Sequence, residues 1–281
     1  MRLASYALRG RRSFGVVNGD GIVDLRPRLH KFHNLFEVFR GLALPEAQAA
    51  SDGVRPDVPL SEVELLPPLL APEKILCIGI NYANRAADYN VTNNPKYPSM
   101  FFRAPTSLVG SGQNLIVPKV SDQLDYEGEI AIVIDRDCKN VPKERALEVI
   151  AGITLCNEGT IRDWTRHGQF NVTQGKNFDA SGSLGPWIVT GVDLRRPLHL
   201  LTRKNGEVTQ EDTTANMIFS FTDIIAYVTT FMTLRPGDVI CTGTPVKKVK
   251  SDPPVWLKPG DTVEVECPEI GTLHNTVAAQ A

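Results

Sequence analysis

Leu124-Asp125-Tyr126-Glu127-Gly128-Glu129-Ile130-Ala131-Ile132-Val133-Ile134 repeats its character every second residue, the signature of a β-strand. Side chains at i and i+2 of a strand leave the same face, so Glu127 and Glu129 stand side by side while Ile130, Ile132 and Ile134 point the other way. Ala131 and Val133 carry the glutamate face onward into a core. Two adjacent carboxylates repel unless a cation or a shared proton neutralises them. Carboxylate-only ligation suits a hard ion such as Mg²⁺ or Mn²⁺ better than zinc or copper. The pair alone is equally what an exposed sheet face with two ordinary glutamates would show, so the residues around it have to decide.

Outward from this strand the pattern stays β-rich. The runs KILCIGI, SMFFR, NLIVP, ITLCN, PWIVTG, VICTG and TVEVEC are strand-like, and Asn205-Gly206, Pro236-Gly237-Asp238 and Pro259-Gly260-Asp261 mark turns. From Lys74 onward helices are expected only at Lys143–Ile150 and Ser220–Phe231, the second opened by Thr222-Asp223. Many strands with few helices predict a mixed, β-rich α+β architecture and not a doubly wound parallel sheet. Residues 1–70 read as a small N-terminal α+β domain and linker, residues 71–281 as the main domain. In the first part, Asn18-Gly19-Asp20-Gly21 between apolar runs is a hairpin signal, a short helix fits His33–Gly41, and Ser51–Pro72 reads as a linker.

The 281 residues suffice for a sizeable core, with 42% hydrophobic and 22% charged residues, as in a soluble globular protein. A formal net charge of −2 and the absence of a dense basic cluster argue against a nucleic-acid surface. Lys247-Lys248-Val249-Lys250 reads as a solvated loop. The five cysteines are scattered without a C-x-x-C pair, so neither a disulfide framework nor a zinc knuckle is expected. No run approaches the length of a membrane span and the N-terminus lacks a signal-peptide stretch, which predicts a cytoplasmic protein without a membrane partner.

Three further segments carry polar chemistry. ITLCNEGTIRD ends a buried strand in Asn157-Glu158, a third carboxylate of the kind a Mg²⁺ site wants, followed by Arg162-Asp163. Thr173-Gln174-Gly175-Lys176 puts a lysine in a small-residue turn. Thr242-Gly243-Thr244-Pro245 ends another strand with hydroxyls and free backbone N–H groups suited to an anion.

The order LDYEGEIAIVI, NEGTIRD, GKNFD and MIFSFTDIIAYVTTFMTLRPGDVICTGTP resembles the catalytic domain of the fumarylacetoacetate hydrolase family, over roughly Lys74 to Val277. GVVNGDGIVDL resembles that family's small leading domain. The resemblance implies a β-roll catalytic domain, a homodimer, Mg²⁺ or Mn²⁺, and acylpyruvate or related oxo-acid substrates. It places the metal ligands at Glu127, Glu129 and Glu158, the active-site lysine at Lys176 and the turn threonine at Thr244. Glu158 departs from the family's aspartate; its extra methylene has to be absorbed, with Gly159 beside it as the expected room. Arg103 falls where relatives carry a lysine near the pocket, and an exposed structural cation is the alternative for it as for Lys176.

A second departure lies in Asn81-Tyr82-Ala83-Asn84-Arg85-Ala86-Ala87-Asp88. Many relatives have a histidine and a glutamate here, on a mobile segment, as the dyad that activates water. Here Arg85 takes the histidine's slot and Asp88 the glutamate's catalytic one. Arginine stays protonated and is no general base, so Arg85 is expected to grip a substrate carboxylate as a lid over Tyr82–Asn94 closes. His167 is the candidate replacement base, against the plainer reading of a surface histidine. Tyr82 is placed against substrate, or equally in the core. The expected reaction is metal-dependent hydrolysis of a C–C bond in a small anionic 2-oxo acid. Decarboxylation or enol–keto isomerisation is the near alternative, and a non-catalytic ligand-binding relative the remote one.

Overall fold

The alternation in Gly128–Ile134 feeds two separate cores, one on each face of the strand. A computed structural model of the chain describes residues 1–86, 94–169, 172–249, 251 and 253–281. Ala131 and Val133 pack with Cys77, Cys156, Cys241 and Leu184 on one side. Ile130, Ile132 and Ile134 pack on the other with Leu200, Val265 and Leu273 of a second sheet and with Ile224, Ile225 and Val228 of a helix. All seven residues of the strand are buried. Each enclosed Ile or Val contributes about 1.5–3 kcal/mol of apolar burial, which pins the register: a slip of one residue would drive the glutamates into a dry core.

Ile150–Asn157 pairs antiparallel on one side of this strand and Val239–Cys241 on the other. The larger, twelve-stranded sheet runs Val58–Pro59, Gly21–Asp24, Arg11–Asn18, Arg2–Leu8, Gly182–Thr190, Ile150–Asn157, Gly128–Ile134, Val239–Cys241, Ile75–Gly79, Ser99–Phe102. Glu64–Leu66 and Leu108–Val109 pair off this path. A five-stranded sheet follows the order Glu207–Thr213, His199–Lys204, Thr262–Cys267, Gly271–Ala279, Asn114–Val117. Both sheets are open, and helices are few, in agreement with the mixed β-rich expectation.

The N-terminal strands join the main sheet through Arg2↔Val189 and Leu3↔Ile188. Leu3, Phe14, Leu35 and Phe39 share the core of Ala131 and Val133. The hairpin signal is met: Arg11–Asn18 and Gly21–Asp24 pair with Asn18 opposite Gly21. Within Ser51–Pro72 lie the short paired strands Val58–Pro59 and Glu64–Leu66.

Two helical expectations need adjustment. Lys143–Val149 is 3₁₀, held by Pro142 before it and the strand Ile150–Asn157 after it. The helix near Thr222-Asp223 spans Phe221–Phe231, because Ser220 caps it and Asp223 returns a bond to the Ser220 backbone. The hairpin His199–Lys204/Glu207–Thr213 and the strand Gly271–Ala279 were not foreseen as strands, since polar residues blur their alternation. Among the described residues no helix is long and apolar enough to cross a membrane, and all five cysteines are free thiols.

Candidate metal centre

Strand pairing brings the three carboxylates together from two neighbouring strands. Gly128 lies opposite Asn157 and Glu129 opposite Cys156, so the start of one strand meets the end of the other. The Asn157 side chain accepts the Glu127 N–H (3.0 Å), and Glu158 N–H reaches the Glu127 carbonyl (2.7 Å). Glu127, Glu129 and Glu158 are all buried, with one carboxylate oxygen of each within 4.8 Å of the others. At that spacing, with an effective dielectric of about 20, each like-charge pair repels by roughly 3–4 kcal/mol. Such an arrangement persists only where positive charge is supplied.

The third neighbouring strand adds a backbone donor. Val239–Cys241 runs beside Gly128–Ile134, and after it the Gly243 N–H donates to Glu129 Oε2 at 2.8 Å. Gly243 has φ +102°, and a Cβ there would lie 2.6 Å from Asn81 Cβ, so only glycine allows this close turn. Asn81 ties the turn to the next segment, donating to the carbonyls of Thr242 (2.7 Å) and Phe219 (3.0 Å).

Cations converge on two of the carboxylates. Glu127 accepts from Arg85 (2.7 Å) and Arg162 (2.6 Å) through one oxygen and from Lys176 (2.6 Å) through the other. Glu158 accepts from Arg103 and from Lys176, again through separate oxygens. Burial would raise the Glu127 carboxyl, but Lys176, Arg162 and Arg85 overcome it and hold Glu127 well below the ordinary carboxylate range. Burial and the negative charge of Glu158 push Glu129 well above it. Glu158 is also raised: burial outweighs its two cations. Lys176 rises despite burial, because Glu127 and Glu158 favour the ammonium. Asp125 extends the network, accepting from Arg162 (2.8 Å) and from Lys247. Among the described residues, Arg85, Arg103, Arg162, Lys176 and Lys247 thus bond to Glu127, Glu158 and Asp125, and none of them bonds to Glu129.

The sequence profile of the fumarylacetoacetate (FAA) hydrolase C-terminal domain matches residues 74–278. The chain belongs to the fumarylacetoacetate hydrolase family. Human mitochondrial oxaloacetate tautomerase FAHD2B is 38% identical over 267 residues, 92% of this chain and 85% of that protein. A probable 2-hydroxyhepta-2,4-diene-1,7-dioate isomerase from Mycobacterium abscessus superposes with a TM-score of 0.82 at 29% identity, covering all of both chains. Maleylpyruvate hydrolase from Sphingobium sp. SYK-6, solved with manganese(II) and pyruvate, superposes at 0.82 with 25% identity, again over both whole chains. Members of the fumarylacetoacetate hydrolase family therefore include isomerase, tautomerase and hydrolase relatives of this fold, and a divalent-metal site is part of the family pattern. Three buried oxygen donors with no sulfur or imidazole among them fit a hard divalent cation.

Within this member of the fumarylacetoacetate hydrolase family, several residues lie where the sequence did not place them. Arg103 is neither an exposed cation nor open to the pocket; its side chain is fully enclosed and bonded to Glu158. His167 is exposed and packed against Trp164, with ring centroids 4.1 Å apart and planes tilted by 35°. No hydrogen bond or ion pair joins it to the carboxylates among the described residues, so it is not brought into the cluster. Tyr82 is enclosed at 1% exposure, its backbone bridged to Met217, which is the core alternative. Arg85 does reach the cluster, from the short helix Ala83–Ala86. Asp88 and most of the expected lid fall outside the described residues. Lys247 is no solvated side chain: it is clamped between Asp125 and the Tyr126 ring. Thr244 is buried and accepts from Gln210 Nε2 at 2.9 Å, while Gln210 Oε1 accepts the Gly128 N–H at 3.2 Å. Gln210 was not legible in sequence. It reaches across from the smaller sheet, and nothing near it in the chain marks it as polar core.

Proposed function

We propose that this chain is a divalent-metal-dependent isomerase that interconverts enol and keto forms of a small anionic 2-oxo acid such as oxaloacetate. The observation that carries this reading is Arg85 bonded to Glu127, where a water-activating base would be needed for hydrolysis. A guanidinium cannot take a proton at neutral pH, and among the described residues no histidine touches the carboxylates. Isomerisation needs no activated water, only stabilised enolate charge and a proton moved between oxygen and carbon. Similarity to the oxaloacetate tautomerase supports the same choice.

A hard ion held by Glu127, Glu129 and Glu158 would be Mg²⁺ or Mn²⁺ and would supply Lewis acidity favouring the enolate. Lys176 Nζ, buried and held as the ammonium by Glu127 and Glu158, donates to the developing oxyanion, while the proton itself exchanges with solvent. Thr244 accepts its bond from Gln210, which leaves its own O–H free to donate to substrate. Arg85 meets the carboxylate of the substrate.

Purified protein with Mn²⁺ or Mg²⁺ should accelerate the decay of enol-oxaloacetate absorbance, and chelation should abolish the acceleration. Arg85→Ala should cost about tenfold or more in kcat/KM, mostly through KM, since its contact is already present in the ground state. Faster cleavage of an acylpyruvate than of any enol–keto pair would displace this reading in favour of C–C hydrolysis. That second reading is supported by the likeness to maleylpyruvate hydrolase.

We also propose a homodimer. Tyr97, Phe102 and Phe231 are each at least half exposed, and Ser99–Phe102 is the terminal strand of the large sheet. Tyr97 stacks on Tyr227, and Tyr227 meets Phe231, a cluster of partly exposed aromatic rings of the kind found at protein contacts. Light scattering should give twice the chain mass at micromolar concentration; a monomer there would remove the proposal.

A further inference from the structure

We propose that Arg103 is a positioning residue that fixes the Glu158 carboxylate, and that the two side chains act as one coupled unit in metal binding. The proposal rests on the reading of Glu127, Glu129 and Glu158 as the metal centre.

Arg103 is surrounded by acceptors in number equal to its donors. A guanidinium carries five N–H groups. Nε donates to Ser107 Oγ (3.0 Å), Nη1 to the Gly159 carbonyl (2.8 Å) and to Glu158, and Nη2 to Ser181 Oγ (2.9 Å) and the Ser107 carbonyl (3.4 Å). No donor is left over for a substrate. Of the five acceptors only Glu158 carries charge, so the whole counter-charge of a fully buried cation falls on this carboxylate.

The backbone around the pair is shaped for this contact. Gly159 admits no Cβ, because the Ser181 carbonyl presses against the place where one would stand. That close approach brings the Gly159 carbonyl and Ser181 hydroxyl to one guanidinium, and it explains Gly159 better than spare room for the glutamate methylene. Three segments, 103–107, 158–159 and 181, therefore close on a single side chain. A buried ion held by five bonds cannot follow a retreating partner. Shortening Glu158 by one methylene withdraws its carboxylate by about 1.5 Å and leaves the guanidinium without its counter-charge. Replacing Arg103 by lysine leaves a shorter point charge with three donors where five acceptors wait. Either change alone breaks the same contact, so the second change has little left to break.

The test is calorimetric titration of Mn²⁺ into the full chain, with thermal melting alongside, for wild type, Arg103→Lys, Glu158→Asp and the double variant. Removing a group that orients a metal ligand typically weakens metal affinity by about 10–100-fold, and each single variant is expected in that range. Because the residues share one contact, the double variant should lose much less than the product of the two single losses. Should Arg103→Lys fail to fold, Ser181→Ala withdraws one acceptor and leaves the ion pair, with several-fold weaker Mn²⁺ binding expected. Wild-type Mn²⁺ affinity with only a lowered melting temperature, in Arg103→Lys or in Ser181→Ala, would make Arg103 a structural cation and overturn the proposal. A double variant equal to the product of the singles would overturn the coupling. A wild-type chain that binds no Mn²⁺ would instead overturn the metal-centre reading beneath it.

Discussion

Glu127→Gln is expected to lower kcat/KM by about a thousandfold and to destabilise the fold as well. The loss in rate follows from removing one of three charged oxygen donors: several kcal/mol of charge stabilisation, at about 1.4 kcal/mol per factor of ten. The loss in stability follows from the cations. Arg85, Arg162 and Lys176 all bond to this one carboxylate, and breaking a buried pair from one side costs about 3–5 kcal/mol. Glu129→Gln should behave differently. Among the described residues its one hydrogen bond is from the Gly243 N–H, which an amide oxygen can accept equally well, and burial beside Glu158 already disfavours its charge. It should lose Mn²⁺ affinity and activity while its melting temperature holds or rises. Thermal melting of the two variants, with activity measured in parallel, separates these cases. Equal destabilisation by both would show that the cations do not depend on Glu127.

Lys176→Met is expected to reduce kcat by about 10²–10³-fold, the usual cost of withdrawing one donor from a developing oxyanion. Its effect on metal should have the opposite sign. Lys176 bridges Glu127 and Glu158 and so competes with any cation for their oxygens; removing it should leave Mn²⁺ binding unchanged or tighter. Titration calorimetry and steady-state rates on the same preparation check both halves. A variant with unaltered kcat would reduce Lys176 to a counter-ion, and one with much weaker Mn²⁺ binding would mean that the ammonium orders the carboxylates.

Each member of the carboxylate trio was legible because its own signal is local, although only strand pairing brings Glu158 to the other two. Glu127 and Glu129 sit two apart on a strand whose alternation is unmistakable, and Glu158 closes a strand that any apolar run would reveal. Lys176 and Thr244 were found through motif order rather than through physics; Lys176 bonds to Glu127, and Thr244 accepts from Gln210. Arg103 was seen but its surroundings were not. Its acceptors come from 107, 158–159 and 181, separations that no periodicity encodes. Arg162 lay in plain view in the NEGTIRD motif, yet only the pairing of Leu124–Asp125 with Thr160–Ile161 turns it toward Asp125 and Glu127.

By itself the sequence determined the mixed β-rich class, the strand that carries two glutamates, the third carboxylate and the family. The class and the glutamate strand depend on side-chain period and local composition, which survive without any partner, and the family on the order of its motifs along the chain. The tertiary structure decided which charges meet: that Arg85, Arg162 and Lys176 share Glu127, that Arg103 belongs to Glu158, and that His167 stays outside. Ion pairs in a buried site are settled by where whole strands place their ends, and a cation's charge pattern in sequence is the same whether it ends in solvent or against a carboxylate.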